Sequence, residues 1–308
     1  MSPAPLALLL KSYGEDLEYA ERLIDSFHRY NIEDLHLYCV VPDEDISAFE
    51  RFSTPTVIIL AESLFESHLT DKPVAGIRPG YINQEVIKIA FWELGLAENY
   101  FCIDSEAVFL RNFGRRDFLA PDEFPYTVLV EDNELKSDPV YYREHWVTRE
   151  ASLRSIARAM NLDADVLRTC HGHQVFSSLA LRSFKEDFLE PRSWTYLDAL
   201  GVAPYEFTWY NFWVQKSGII PIHQREPLVK VFHSENQHIE HILSGVTPAD
   251  LARGYVAAVV NSNFSRDRGV ISLAESKAEA LGPYLSYGEV LKLLRGKAAA
   301  SLRRLRSH

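Results

Sequence analysis

The sequence has few of the features that mark several protein classes. Only three cysteines, Cys39, Cys102 and Cys170, occur among 308 residues; they cannot all pair, and none falls in a CxxC or other zinc-ligand spacing. A disulfide scaffold does not fit, and a reducing compartment does. No apolar run approaches the roughly 20 residues that a membrane-spanning helix needs. The N-terminus, MSPAPLALLLKSYGED, carries a short apolar run with no basic flank and no small-residue cleavage site. Neither a signal peptide nor a spanning helix is expected there, and a cytoplasmic location is the expectation. Positive charge is also in deficit: 32 Lys plus Arg stand against 43 Asp plus Glu, a formal net charge of −11. A broad grip on nucleic acid does not suit that balance, so an anionic ligand has to be held locally, by a few basic groups or by a metal. Repeats, low-complexity tracts and linkers are missing, which favours one composite domain.

What is present is a globular composition, 47% hydrophobic, ample for a large core. Leu6 to Leu10 is a continuous apolar run stopped by Lys-Ser-Tyr-Gly, the pattern of a strand buried on both faces. Glu15 to Arg29 places Leu17, Ala20, Leu23, Ile24 and Phe27 at helical spacing. Leu35 to Val41 reads as a second strand and, after a short acidic helix, Thr56 to Leu60 as a third. Asn83 to Leu94 reads as a helix and Tyr100 to Ile103 as a buried strand running into Asp104. This β-α-β-α-β alternation predicts an α/β fold, a mostly parallel sheet flanked by helices, with its ligand site at the carboxyl ends of the strands.

Beyond Pro125 the signals mix. YTVLVE reads as a strand, Asp138 to His145 and Arg149 to Met160 as two helices, HQVFSSLAL as an alternating strand, and Tyr205 to Val214 as an aromatic helix. The organisation expected is a domain over 1–285, with a nucleotide-binding half at 1–115 and an acceptor half at 116–285. A basic amphipathic helix follows at 286–308. In it Leu291, Leu294, Ala298, Leu302 and Leu305 form an apolar stripe beside Lys292, Arg295, Lys297, Arg303, Arg304 and Arg306. That helix either docks on an anionic membrane face or packs its leucines on the domain.

The sharpest local signal is Asp104-Ser105-Glu106, two carboxylates leaving a hydrophobic strand. On extended backbone, positions i and i+2 point the same way, so the pair suits Mg²⁺ or Mn²⁺, which would neutralise a diphosphate. The plain alternative is that Asp104 caps the next turn and Glu106 is solvated. Lys11, Ser12 and Tyr13 stand where the first strand ends, a position for contacts to a nucleotide; ordinary turn chemistry serves Ser12 equally well. Gln84 and Lys88 lie four apart on one helix face and can meet a phosphate or base together, unless Lys88 only snorkels beside Ile87 and Phe91. Arg78, before Pro-Gly, is the nearest cation for a diphosphate, or a solvated arginine. His171-Gly172-His173 sets two imidazoles on one side of an extended segment, a metal-chelating spacing. Glu206 opens the aromatic helix, where a raised pKa would suit it to general-base work and the rings to a sugar wall; a core helix with a dipole-favouring Glu is the alternative.

Three segments carry a family likeness: Lys11-Ser12-Tyr13 after the first strand, GYINQEVIKIAFWELG followed by NYFCIDSEAVFLRNF, and PYEFTWYNFW. Together they resemble a family of bacterial glycosyltransferases of the GT-A fold found in capsule, lipopolysaccharide and other surface-glycan clusters. The resemblance spans roughly the first 240 residues. It matches Gln84 and Lys88, Asp104-Ser105-Glu106, and Tyr205-Glu206-Phe207 downstream of Trp194, with Glu106 where the family carries a second Asp. It implies a GT-A-like fold and a nucleotide-diphosphate sugar donor, a UDP-sugar by default, contacted by Lys11, Ser12, Tyr13, Arg78, Gln84, Lys88, Asp104 and Ser105. It further implies a glycan or lipid-linked glycan acceptor, and a Mn²⁺ or Mg²⁺ ion on Asp104, Glu106 and, as third ligand, His233. Ser234 as a helix N-cap beside an exposed His233 is the alternative at that position. Two other functions compete: a metal-dependent phosphoesterase on Asp104, His171, His173 and His233, and a noncatalytic nucleotide- or sugar-binding protein.

Overall fold

The computed structural model describes residues 2–130, 139–163, 168–170, 172–265, 277–286, 288, 289, 291, 292, 294, 295 and 298. Four strands, β1 (Ala7–Lys11), β2 (His36–Val41), β3 (Val57–Ala61) and β4 (Asn99–Ile103), run parallel. After them come β5 (Ala107–Phe109), β6 (Tyr126–Val128) and β7 (Val175–Ser177), the last antiparallel to β4. The main sheet has the order β3-β2-β1-β4-β7. A second sheet joins β5 to β9 (Val229–Phe232) and β10 (Ala257–Val260) in the order β5-β10-β9, and β6 pairs with β8 (His223–Arg225). The two predicted halves interlock: β7 from the second completes the sheet of the first, and β5 from the first lies in the second sheet.

Helices cover both faces. They are α1 (Leu17–Tyr30), α2 (Ile46–Phe49), α3 (Pro79–Ala90), α4 (Pro139–Ala159), α5 (Ser178–Ser183), α6 (Tyr196–Val202), α7 (Glu206–Ser217), α8 (Glu235–Ser244), α9 (Pro248–Leu251), α10 (Ser262–Ser265) and α11 (Lys277–Leu281). Parallel register sets Leu9 between Tyr38 and Cys102. The strand period of two then sorts the sheet cleanly. Ala7, Leu9, Tyr38, Val40, Tyr100 and Cys102 face one core, shared with α3, α5, α6 and α7. Leu8, Leu10, Leu37, Cys39, Phe101 and Ile103 face the other, filled from α1 by Ala20, Leu23, Ile24 and Phe27. Each of these fully buried leucines and phenylalanines contributes about 1.5–3 kcal/mol by leaving water.

Several elements depart from the sequence expectation for identifiable reasons. The helix expected from Asn83 begins at Pro79, because proline at the first helical position loses no hydrogen bond. The two helices expected around 138–160 are one, α4. HQVFSSLAL is a strand only to Ser177; from Ser178 the buried residues Ala180, Leu181, Phe184 and Phe188 follow a helical period that overrides the alternation. Strand β10 carries no counterpart in the sequence reading. Of the C-terminal stripe, Leu294 packs against the cluster of Ile242, Ala280 and Leu281, while Leu291, Lys292, Arg295 and Ala298 are exposed. Lys297, Leu302, Arg303, Arg304, Leu305 and Arg306 lie outside the described residues. Among the described residues no helix is long and apolar enough to cross a membrane.

Candidate active site

Parallel strands place all their carboxyl ends along one edge, and two adjoining cavities open there. The first, of about 440 Å³, lies over the ends of β1, β2 and β3 and receives Lys11, Ser12 and Tyr13. Lys11 is spoken for: its Nζ lies 3.0 Å from Glu62 Oε2 and donates to the Ser12 carbonyl at 2.9 Å. Asp43 accepts from the Ser63 hydroxyl at 2.6 Å and backbone N–H at 3.0 Å, and those bonds hold its carboxyl below the usual range. The N-terminus of α3 closes the cavity with Arg78, Gly80, Tyr81 and Gln84. Arg78 is exposed, and its guanidinium makes no ion pair or hydrogen bond among the described residues. Proline at 79 leaves Gly80 as the first free helix N–H, and nothing lies within 4 Å of where a Gly80 Cβ would stand. The Tyr81 and Ile82 N–H groups donate to the Arg78 carbonyl, so the open groups at this end are the Gly80 amide and the Arg78 guanidinium, both suited to an anion.

The second cavity, of about 400 Å³, lies over the end of β4 and shares Tyr81 and Gln84 with the first. Glu85, Lys88, Asp104, Glu106, His173 and Glu206 converge in it. Lys88 is its electrostatic centre. Its buried ammonium lies 3.1 Å from Glu206 Oε1, 3.5 Å from Asp104 Oδ1 and 3.8 Å from Glu85 Oε2. Burial acts to lower the Lys88 pKa, but Asp104, Glu206 and Glu85 together outweigh it and hold the group well above its ordinary value, so it stays charged. Asp104 Oδ2 faces His173 Nε2 at 3.4 Å; burial lowers the His173 pKa and keeps the ring neutral near pH 7. Glu106 accepts from the Ser262 backbone N–H at 3.3 Å. Its carboxyl is raised by burial and then by the neighbouring Asp104 charge.

The predicted residues divide between the cavities. Lys11, Ser12, Tyr13 and Arg78 line the first, Gln84 lines both, and Lys88, Asp104, Glu106, Glu206 and His233 line the second. Ser105 lines neither: its hydroxyl donates to Ser12 Oγ at 3.0 Å in the buried seam between β4 and β1. Asp104-Ser105-Glu106 is not extended; a turn closed by Ala107 N–H on the Asp104 carbonyl at 3.1 Å leads into β5, and the two carboxylates still reach one cavity. Lys88 is no surface cation but a buried counter-charge. His233 enters the same cavity, but among the described residues no three His, Cys, Asp or Glu gather as a metal-binding group. Its ring stacks on Tyr141, which stacks on His145; Ser234 caps α8 as the plainer reading had it, but His233 is buried rather than exposed. His173 has φ 52°, so the segment around it is not extended; His171 lies outside the described residues.

Helix α7 is corrected in a similar way. Only Tyr205, Glu206 and Phe207 at its start reach the cavity. Trp209, Phe212 and Trp213 are core, and the two indoles donate to the Ala203 carbonyl and the Ser183 hydroxyl, so they form no sugar wall. Sequence reasoning missed Glu85, although its place three residues before Lys88 puts both on one helix face. It also missed Tyr141 and His145, which only the packing of α4 against the end of β9 brings to the site.

The profile of a family of unknown function, DUF6492, matches residues 4–144. That span holds Arg78, Gln84, Lys88 and Asp104-Ser105-Glu106 and ends before α7. No curated protein matches the sequence significantly. Among solved structures, the apo form of mouse xyloside xylosyltransferase 1 is similar, with a TM-score of 0.47 and 13% identity over 84% of this chain and 98% of that one.

Proposed function

We propose that the protein is a GT-A-like glycosyltransferase that moves a sugar from a nucleoside diphosphate donor, UDP by default, to a hydroxyl of a surface-glycan acceptor. The observation that carries this reading is the pair of cavities at the carboxyl edge, joined through Tyr81 and Gln84. A crevice at strand ends is where open α/β sheets bind nucleotides. The first cavity suits the nucleoside, Arg78 and the Gly80 amide suit the diphosphate, and the second suits the sugars. The segment likeness around Lys11, Gln84, Lys88, Asp104 and Glu206 points the same way.

Asp104 and Glu106 are the residues that would hold a divalent cation. They fit one: both face a single cavity, and the Asp104 charge raises Glu106, a repulsion that a dication relieves. Mg²⁺ commonly takes one or two carboxylates and fills its remaining positions with phosphate oxygens and water. When bound, such an ion neutralises the diphosphate and stabilises it as a leaving group. Arg78 orients the diphosphate, Lys88 fixes Glu206 by its 3.1 Å bond, and Glu206 takes the proton of the acceptor hydroxyl if configuration inverts; a retaining reaction would not call on it. The exposed Lys292 and Arg295 suit contact with an anionic membrane that carries lipid-linked acceptors. A phosphoesterase reading draws on the His173–Asp104 contact; it would hydrolyse a phosphate ester with no need of a sugar acceptor.

Calorimetric titration of the intact chain with UDP, with and without Mn²⁺, tests the reading. Affinity is expected to rise with Mn²⁺, and Asp104→Asn to lose about 10- to 100-fold of it, as expected for one charge-assisted contact. Equal affinity in wild type and Asp104→Asn would remove Asp104 from the site.

A further inference from the structure

Lys88 carries one positive charge among more negative charge than it can balance. Glu85 and Glu206 are buried to side-chain exposures of 4% and 6%, whereas Asp104, at 37%, reaches solvent. If Glu85 and Glu206 were both ionised, the enclosed trio with Lys88 would hold a net negative charge out of water, which proteins avoid by binding a proton. The two carboxyls share the one Lys88 ammonium, at 3.8 and 3.1 Å, and two buried carboxyls on a single counter-charge avoid their mutual repulsion when one keeps its proton. Lys88 selects which. It donates to Glu206 at 3.1 Å, while Glu85 Oε2 lies farther off, at 3.8 Å, with no hydrogen-bond partner among the described residues.

We infer that Glu85 is a neutral acid, a positioning residue that shares the Lys88 ammonium with Glu206 and leaves Glu206 as its nearer partner. Its catalytic meaning rests on the reading of Glu206 as the proton acceptor; its protonation does not. The groups that face Glu85 are Lys88 and Tyr81 on α3, Glu206 at the start of α7, and Asp104 after β4. Burial first, then the Glu206 charge, pushes the Glu85 carboxyl well above its ordinary range against the opposing pull of Lys88. Tyr81, four residues earlier on the helix, is raised in turn by Glu85 and by burial.

The test is carboxyl ¹³C NMR on the intact protein labelled at glutamate, without any sugar donor. One glutamate signal is expected to stay protonated at neutral pH and to vanish in Glu85→Gln; no protonated glutamate at neutral pH would overturn the inference. Stability against pH gives a second reading. An acid raised on folding binds more protons folded than unfolded, so stability falls as pH rises above the unfolded value of about 4.3. Glu85→Gln removes that loss, and its stability relative to wild type is expected to grow between about pH 5 and 8; a constant or shrinking difference would contradict the assignment. In donor turnover, Glu85→Gln, which keeps a neutral oxygen toward Lys88, is expected to exceed Glu85→Leu about tenfold, the worth of one polar contact to a charged group. Equal turnover in the two variants would remove the positioning role. The NMR and stability readings need no enzymatic activity, so they stand or fall apart from the glycosyltransferase reading.

Discussion

Two lysines beside the same sheet edge, one in each cavity, are neutralised on different plans. Lys11, at the end of β1, meets one carboxylate, Glu62, which is itself partly open to solvent. Lys88, on α3, is enclosed by Glu85, Glu206 and Asp104. The first cavity sets Lys11 and Arg78 against Asp43, Glu44 and Glu62 and is close to balanced, and Arg78 there makes no ion pair among the described residues. The second is acidic, with Glu85, Glu206, Asp104 and Glu106 around the one lysine Lys88. The chain's net charge of −11 gives no hint of that difference between the two cavities.

Replacing the lysines breaks the comparison most severely. Lys88→Met strands buried carboxylates and is expected to cost about 3–5 kcal/mol in chemical denaturation. Lys11→Met strands one carboxylate, Glu62, at 17% exposure, and is expected to cost less, about 1–2 kcal/mol. Equal losses would show that the two sites do not differ as described. Glu206→Gln is expected to lower donor turnover on the order of 10²-fold or more while leaving UDP affinity nearly unchanged, because the amide keeps its shape but takes no proton. Near wild-type turnover would make Glu206 structural or the reaction retaining. Smallest is Arg78→Ala, where an exposed cation is lost. UDP affinity is expected to fall about 3- to 10-fold, and the deficit to shrink with added salt. A deficit unchanged by salt would place Arg78 outside the diphosphate site.

The β-α-β-α-β half was legible because its strands are continuous apolar runs and α1 keeps a clean helical stripe, signals that depend on local order alone. Asp104, Lys88 and Glu206 were legible as chemistry but not as a trio, since Lys88 and Glu206 stand 118 residues apart and only the packing of α3 against α7 joins them. Glu85 was hidden because a glutamate before a lysine on a helix is ordinary until burial removes the water that would screen it. The aromatic helix misled for the converse reason: Trp209 and Trp213 look like ligand platforms in sequence, yet their indole N–H groups are satisfied inside the core. His233 was legible by residue type, but not its stack on Tyr141, which only the tertiary fold sets.

The central claim is that the joined cavities turn over a nucleotide sugar. Phosphorus NMR of the intact protein, incubated with Mn²⁺ and a panel of nucleoside diphosphate sugars, tests it most directly. At least one donor is expected to be consumed, slowly with water as acceptor, releasing a nucleoside diphosphate, and Asp104→Asn is expected to abolish the release. Release of inorganic phosphate from simple phosphate esters, with every sugar donor left intact, would contradict the account and point to the phosphoesterase instead.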